Sequence, residues 1–226
     1  EQDYLDCLIA DLQIEVESVQ DRELKSIFFG GGTPSLFSAE SLARLLQTVA
    51  KRFHFDREIE ITLEVNPASA DQRKFLDFFH AGINRLSIGI QSFNDSSLRD
   101  LGRIHTSRDG ASAIKLAQTA GFSNINIDLM YGLPNQTEEE AVSDLNEAIL
   151  WRPQHVSWYE LTIEPNTMFY SNPPNVPQEN TLEAIQEAGL SLLSKNGFSR
   201  YEISAFSKLN HQCKHNLNYW RFGDYL

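Results

Sequence analysis

The sequence predicts an α/β fold: an open barrel of parallel strands separated by amphipathic helices, with a row of polar side chains turned to its interior. Three segments predict it. In 58–65, Ile59, Ile61, Leu63 and Val65 alternate with Glu58, Glu60, Thr62 and Glu64; in 85–91, Leu86, Ile88 and Ile90 alternate with Arg85, Ser87, Gly89 and Gln91. In 124–130, Ile125, Ile127 and Leu129 alternate with Asn124, Asn126 and Asp128. Successive side chains on a strand point to opposite faces, so each segment buries one row and presents the other. Helices between the segments make the strands parallel. A closed α/β barrel ordinarily fills its interior with branched apolar side chains. Here Glu64, Gln91 and Asp128 stand at three successive strand ends, and a polar lumen calls for a polar ligand.

The elements follow in order. Residues 2–19 read as an amphipathic helix with Tyr4, Leu5, Leu8, Ile9, Leu12 and Val16 on one side. A strand through 26–29 runs into Gly30-Gly31-Gly32-Thr33-Pro34. Ser38 reads as an N-cap for a helix bearing Leu42, Leu45, Leu46, Val49 and Phe53. The strand 58–65 ends at Asn66-Pro67, a helix at 70–80 leads to the strand 85–91, and short helices follow near 95–101 and 107–120. Gly121 closes the latter as a C-cap. The strand 124–130 ends in Tyr131-Gly132-Leu133-Pro134, and Thr137 caps a helix with Ala141, Val142, Leu145, Ala148 and Ile149. A strand at 155–162, a Pro-rich stretch at 165–177, a helix at 181–196 and a strand at 201–206 complete six strands, with right-handed crossovers expected.

The 226 residues suffice for one well-buried domain, and no Pro/Gly/Ser-rich linker divides them. No apolar run approaches the ~18 residues that span a bilayer, and no secretory signal is visible. The net charge of −12 disfavours nonspecific attraction to nucleic acid or anionic lipid. Cys7 and Cys213 are far apart, which makes neither a disulfide framework nor a metal motif and reads as two reduced thiols in a cytosolic protein. The chain begins at Glu1 rather than Met and stops at Leu226 after an aromatic-rich stretch, which reads as a portion of a longer protein.

The segment 30–34 sits at a strand end, where ligands bind in α/β folds, and three glycines let a ligand approach the backbone closely. It is not a P-loop and not Gly-x-Gly-x-x-Gly; it is either a tight turn or a binding loop. Glu64, Gln91 and Asp128 are either solvated strand ends or the rim of a site whose carboxylates suit ribose hydroxyls or an ammonium group. Arg103, in Leu101-Gly102-Arg103-Ile104-His105, either clamps a carboxylate or lies on the surface. In His211-Gln212-Cys213-Lys214-His215-Asn216-Leu217-Asn218-Tyr219-Trp220, His and Cys can ligate iron and aromatics can flank a planar macrocycle. The same residues also read as the start of an ordinary aromatic-rich helix, and neither His–Cys spacing matches a zinc finger.

Five motifs then occur in a fixed order: Gly30-Gly31-Gly32-Thr33-Pro34-Ser35, Leu63-Glu64-Val65-Asn66-Pro67, Leu86-Ser87-Ile88-Gly89-Ile90-Gln91-Ser92-Phe93, Leu101-Gly102-Arg103-Ile104-His105 and Asn126-Ile127-Asp128-Leu129-Met130-Tyr131-Gly132-Leu133-Pro134. Together they resemble the radical S-adenosylmethionine (SAM) proteins related to oxygen-independent coproporphyrinogen III oxidase, over nearly the whole chain. The resemblance implies a partial (β/α)6 TIM-like barrel of the radical SAM type without its N-terminal strand. It forms one domain over 1–226, with 165–226 leading into a C-terminal extension that carries the His-Asn-x-x-Tyr-Trp motif. It implies SAM and a 4Fe–4S cluster at the strand ends. Gly30, Gly31 and Gly32 receive the methionine amino group beside Thr33, Glu64 meets the nucleoside or its ammonium, and Gln91, Arg103 and Asp128 hold ribose and carboxylate, or a second SAM. The family's cluster motif, Cys-x3-Cys-x2-Cys, is expected upstream of Glu1, so residues 1–226 alone are expected to bind no cluster.

The family has two branches: the decarboxylating oxidase of heme biosynthesis, an oxygen-independent coproporphyrinogen III dehydrogenase, and the HemW-type heme chaperone, which passes heme to respiratory hemoproteins. His215-Asn216-Leu217-Asn218-Tyr219-Trp220 resembles the chaperone branch's signature, as does the stretch from Trp158 to Thr167. That reading makes His215, Asn216, Tyr219 and Trp220 the heme contacts, heme and an apo-hemoprotein of the respiratory chain the partners, and the cytoplasm the location. Peripheral membrane association and a homodimer are both compatible with the sequence. Outside the family, Glu64 and Asp128 also form a conceivable acid/base pair of a metal-free barrel enzyme.

Overall fold

Short polar side chains start most of the helices, and a computed structural model, which describes residues 1–19 and 22–226, shows how they punctuate the chain. α1 (Gln2–Val19) and β1 (Glu23–Phe29) lead through a 3-10 turn at Pro34–Leu36 to α2 (Ala39–Ala50), where Ser38 Oγ accepts the Ser41 N–H. β2 (His54–Val65) precedes α3 (Gln72–Ala81), which Asp71 caps and Gly82 ends at φ 107. β3 (Arg85–Gln91) is followed by α4 (Asp95–Asp100), capped by Asn94, and by α5 (Ser107–Thr119), started by a reciprocal capping box of Thr106 and Asp109. β4 (Ile125–Tyr131) leads to α6 (Glu138–Leu150), started the same way by Thr137 and Glu140. β5 (His155–Glu160), α7 (Met168–Ser171), α8 (Glu179–Lys195), β6 (Ser199–Arg200), β7 (Ala205–Ser207) and α9 (Lys214–Trp220) complete the order.

Among the described residues the strands form one seven-stranded sheet, ordered β1-β2-β3-β4-β5-β7-β6. β1 to β5 are parallel, as the alternating strand–helix pattern requires. The end of the sheet differs from the sequence expectation of a sixth parallel strand over 201–206. The Ser204 N–H bonds Glu202 Oε1, and the Arg200 guanidinium reaches the carbonyls of Glu202 and Ile203, closing a tight bend inside that stretch. The chain doubles back there without a crossover helix, so β7 runs antiparallel to both β5 and β6. The Pro-rich stretch likewise contains a short helix, α7, capped by Thr167.

One face of the sheet is apolar throughout. Ile61, Leu63, Val65, Leu86, Ile88, Ile90, Ile127, Leu129, Val156 and Trp158 are buried against Leu46 of α2, Phe75 and Phe78 of α3, Ile114 of α5, Leu145 of α6 and Ile185 and Leu193 of α8. Each such side chain contributes about 1.5–3 kcal/mol by leaving water. The other, concave face is buried too, but it is polar: Glu60, Thr62, Arg85, Ser87, Gln91, Asn126, His155 and Ser207 lie along it. Burying such groups is tolerated only where they find partners. Among the described residues, no helix is long and apolar enough to cross a membrane.

Candidate functional site

At the C-terminal end of the parallel strands a cavity of about 240 Å³ opens on the concave face. Gly32, Thr33 and Pro34 after β1, Glu64, Val65 and Asn66 at the end of β2, Ser87, Gly89 and Gln91 of β3, Asp128 of β4, Tyr159 of β5 and Arg103 after α4 line it. Six of the residues singled out in the sequence, Gly32, Thr33, Glu64, Gln91, Arg103 and Asp128, therefore share one cavity. Gly30 and Gly31 border it through Glu64, whose Oε2 accepts the Gly31 N–H at 3.1 Å.

Each polar group is held for a reason. A Cβ on Gly30 would lie 2.7 Å from Phe28 Cε1 and 3.1 Å from Glu64 Oε1, so only glycine brings the backbone this close. Gly31 and Gly32 adopt left-handed φ values of 81 and 60 with open space around them, leaving their backbone accessible. Gln91 sits at a β-bulge: it stands opposite Leu129, a residue of the apolar row, and its left-handed backbone (φ 70) returns its side chain to the concave face. There its Oε1 accepts the Tyr159 hydroxyl at 2.6 Å.

The bulge is pinned from behind. His105 Nε2 donates to the Ile90 carbonyl at 3.1 Å, while Asp144 of α6 accepts from Ser92 Oγ at 2.6 Å and the Phe93 N–H at 2.7 Å. Burial pushes the Asp144 carboxyl up to about 6 against these bonds, and burial lowers His105.

The carboxylates carry the electrostatics. Burial raises Glu64, opposed by the Gly31 N–H and reinforced by the charge of Asp128. Burial also raises Asp128, opposed by hydrogen bonds from Ser157, Asn126 and Ser87. Burial, with the Asp128 charge next, pushes the Tyr159 phenol up to about 12. Two carboxylates reluctant to stay charged favour a cationic partner, an amide and a phenol suit hydroxyls, and the Arg103 guanidinium suits a carboxylate. That donor and acceptor set fits the ammonium, ribose and carboxylate of an amino-acid nucleoside.

The His-Asn-x-x-Tyr-Trp motif lies on α9, against the N-terminal half of the same concave face. Glu60 Oε1 accepts from the N–H groups of Lys214 (2.9 Å) and His215 (3.4 Å) and from Cys213 Sγ (3.3 Å). The His215 ring stacks on Phe28 at 4.5 Å and 24°, with the Tyr219 ring edge-on at 5.1 Å. Burial lowers the His215 imidazole, opposed by Glu60 and assisted by Arg85. The Asn216 amide turns inward to Tyr201, whereas Tyr219 and Trp220 stay about half exposed. None of the four lines the strand-end cavity, but Phe28 separates His215 from Gly30 by one ring.

Sequence reasoning missed Ser87, Asn66 and Tyr159 as lining residues. Ser87 already lay in the polar row of its strand, and His155, Ser157 and Tyr159 continue the same alternation one strand further on. Among the described residues, no group of three or more His, Cys, Asp and Glu could hold a metal ion. Cys7 is exposed on α1, and Cys213 is buried beside Glu60. The residues at the cavity thus fit SAM and do not supply the ligands of an iron–sulfur cluster.

This cavity, on a half-barrel of parallel strands with a triple-glycine bend at its edge, has a counterpart in sequence: the pattern of the Radical SAM superfamily matches residues 9–148, and the chain belongs to that superfamily. Membership implies SAM and a 4Fe–4S cluster as cofactors. Within it, the chain is 54% identical over 230 residues to the heme chaperone HemW of Haemophilus influenzae, covering 100% of this chain and 60% of that protein. It is 49% identical over 224 residues to the heme chaperone HemW of Escherichia coli, covering 99% of this chain and 59% of that one. The chain thus spans about three-fifths of the length of these relatives. Coproporphyrinogen III oxidase (HemN) from Escherichia coli, a radical SAM enzyme, superposes with a TM-score of 0.83 at 24% identity over 97% of this chain and 51% of that one. That likeness establishes the partial TIM-like barrel.

Proposed function

We propose that this chain provides the SAM-binding and heme-contacting scaffold of a heme chaperone that delivers heme to apo-hemoproteins of the respiratory chain. The observation that carries this reading is the 54% identity, along the full length of the chain, to a protein named as a heme chaperone. The geometry supports it at both ends of the concave face. Gly30, Gly31 and Gly32 with Thr33 receive the methionine end of SAM, Glu64 takes the ammonium or nucleoside, Asp128 and Gln91 take ribose hydroxyls, and Arg103 faces a carboxylate. When bound, SAM together with the cluster would supply one-electron chemistry; these residues would bind, orient and partly desolvate the nucleoside.

On α9, His215 offers a half-buried imidazole whose lowered pKa favours the neutral, ligating form. Tyr219 and Trp220 expose ring surface to a flat macrocycle, and the inward amide of Asn216 anchors the helix.

The test uses the full-length protein with its cluster reconstituted. Hemin titration is expected to give a saturable Soret band, and His215→Ala to weaken that binding at least about tenfold, one lost ligand bond's worth, while affinity for S-adenosylhomocysteine stays unchanged. Anaerobic incubation with coproporphyrinogen III is expected to give no sustained decarboxylation. Sustained product would replace the chaperone reading with the dehydrogenase one, and unaltered heme binding in His215→Ala would remove His215 from the site.

A further inference from the structure

Below the cavity, a line of buried and half-buried side chains joins Asp128 to α9. Asn216 Nδ2 and the Cys213 N–H each donate to the Tyr201 hydroxyl oxygen at 3.1 Å. That oxygen lies 2.6 Å from His155 Nε2, and His155 Nδ1 lies 2.6 Å from Asn126 Oδ1. Asn126 Nδ2 lies 2.7 Å from both Asp128 Oδ1 and Ser87 Oγ, and Ser87 Oγ donates to Asp128 Oδ2 at 3.0 Å.

The directions of these bonds are forced by chemistry. An amide NH2 only donates, so the Asn126 NH2 gives to Asp128 Oδ1 while its carbonyl, which also accepts from Ser157 Oγ, is left to face His155. His155 Nδ1 then carries the ring proton and Nε2 accepts, which takes the Tyr201 O–H. Burial keeps His155 neutral, well below its ordinary value, with the Arg85 charge acting the same way. The Tyr201 oxygen, already receiving two donors, has only its own proton to give. One consistent arrangement exists, and breaking any member loosens the next. At one end stands a residue of the aromatic motif, at the other a carboxylate of the cavity.

We propose that His155 and Tyr201 are positioning residues: through Asn126 they hold Asp128 turned into the cavity, so that the seating of α9 and the occupancy of the cavity report on each other. This rests on the reading of the cavity as the nucleoside site, and the experiment separates the two. Calorimetry on the full-length protein uses S-adenosylhomocysteine as the probe. Asp128→Asn is expected to weaken binding more than about tenfold. Tyr201→Phe, which keeps the ring and removes only the hydroxyl, is expected to weaken it about 3- to 10-fold, and Asn216→Ala in the same direction by less. Ile114→Val, a core change on the opposite face of the sheet, sets how much affinity follows lost stability alone.

In protein labelled with 15N-histidine, His155 is expected to show a protonated Nδ1 and an unprotonated Nε2 that shift when the probe binds. The two resonances are expected to move toward averaged values in Tyr201→Phe. Unchanged affinity in Asp128→Asn overturns the cavity reading itself. Weakened Asp128→Asn, with Tyr201→Phe and Asn216→Ala no weaker than the Ile114→Val control, overturns the relay alone. If Tyr201→Phe does not fold, the wild-type His155 resonances decide: a shift on probe binding upholds the coupling, and unmoved resonances overturn it.

Discussion

A single absent methyl group sets how close β1 brings its backbone to Glu64. At Gly30 a Cβ would press on Phe28 and crowd the Glu64 carboxylate. Gly30→Ala is therefore expected to lower affinity for S-adenosylhomocysteine about tenfold, roughly the weight of one misplaced charge-assisted bond, as measured by calorimetry. A fold that accepts the alanine with unchanged affinity would show that the bend merely turns the chain. Asp144 makes a second residue-scale prediction. Its carboxyl rises from 3.8 to about 6, so the folded state keeps a proton that the unfolded chain has already released. The stability this provides is fully present below about pH 4 and is lost as pH rises through about 6, a change of roughly 2–3 kcal/mol. Urea unfolding of wild type and Asp144→Asn is expected to diverge across that window, the wild type losing ground as pH rises. Parallel curves would mean that Ser92 and the Phe93 N–H keep the carboxylate charged after all.

Between elements, α8 packs its backbone directly on β5. A Cβ at Gly189 would lie 2.0 Å from Trp158 Cη2, a rigid ring with no free direction to move. Gly189→Ala is expected to destabilise by at least about 1–3 kcal/mol, the usual penalty of overpacking, visible as a lower thermal midpoint. What the sequence made legible at this scale was local chemistry. Ser38 and Thr137 declared helix starts because a hydroxyl two or three residues from a free N–H acts at short range, and the alternation in 58–65 and 85–91 declared strands and their polar face. The hairpin at 199–207 stayed hidden because its bend is made by Arg200 and Glu202, residues without turn character. The bulge at Gln91 stayed hidden because a non-glycine residue at positive φ is imposed by its surroundings, here Asp144, His105 and Tyr159. The triple-glycine bend, Glu64, Gln91, Arg103 and Asp128 were legible as site candidates from strand ends and motifs. Tyr159, His155 and Tyr201 were not, because their partners are set by the assembled sheet: β5 beside β4 brings His155 to Asn126, the Gln91 bulge brings that amide to Tyr159, and the turn before β7 brings Tyr201 to His155.

Across the whole molecule, the net charge of −12 surrounds a cavity that itself holds two carboxylates. A sulfonium-bearing ligand gains from that field and a neutral thioether does not. S-adenosylmethionine is expected to bind more tightly than S-adenosylhomocysteine at ~0.02 M salt, by a margin that shrinks about two- to threefold by ~0.3 M as screening sets in. A salt-independent ratio would mean that the sulfonium sits away from both carboxylates. Helix α9 has seven residues, too few to persist unaided in water. Its anchor on Glu60 comes from a strand more than 150 positions earlier in the chain. Contacts so distant in sequence carry the loop-closure entropy of the whole intervening chain, a cost that the aligned strands between them offset. The helix is thus a completion mark: its aromatic face exists only on a finished barrel, and a half-made one has no place to display it.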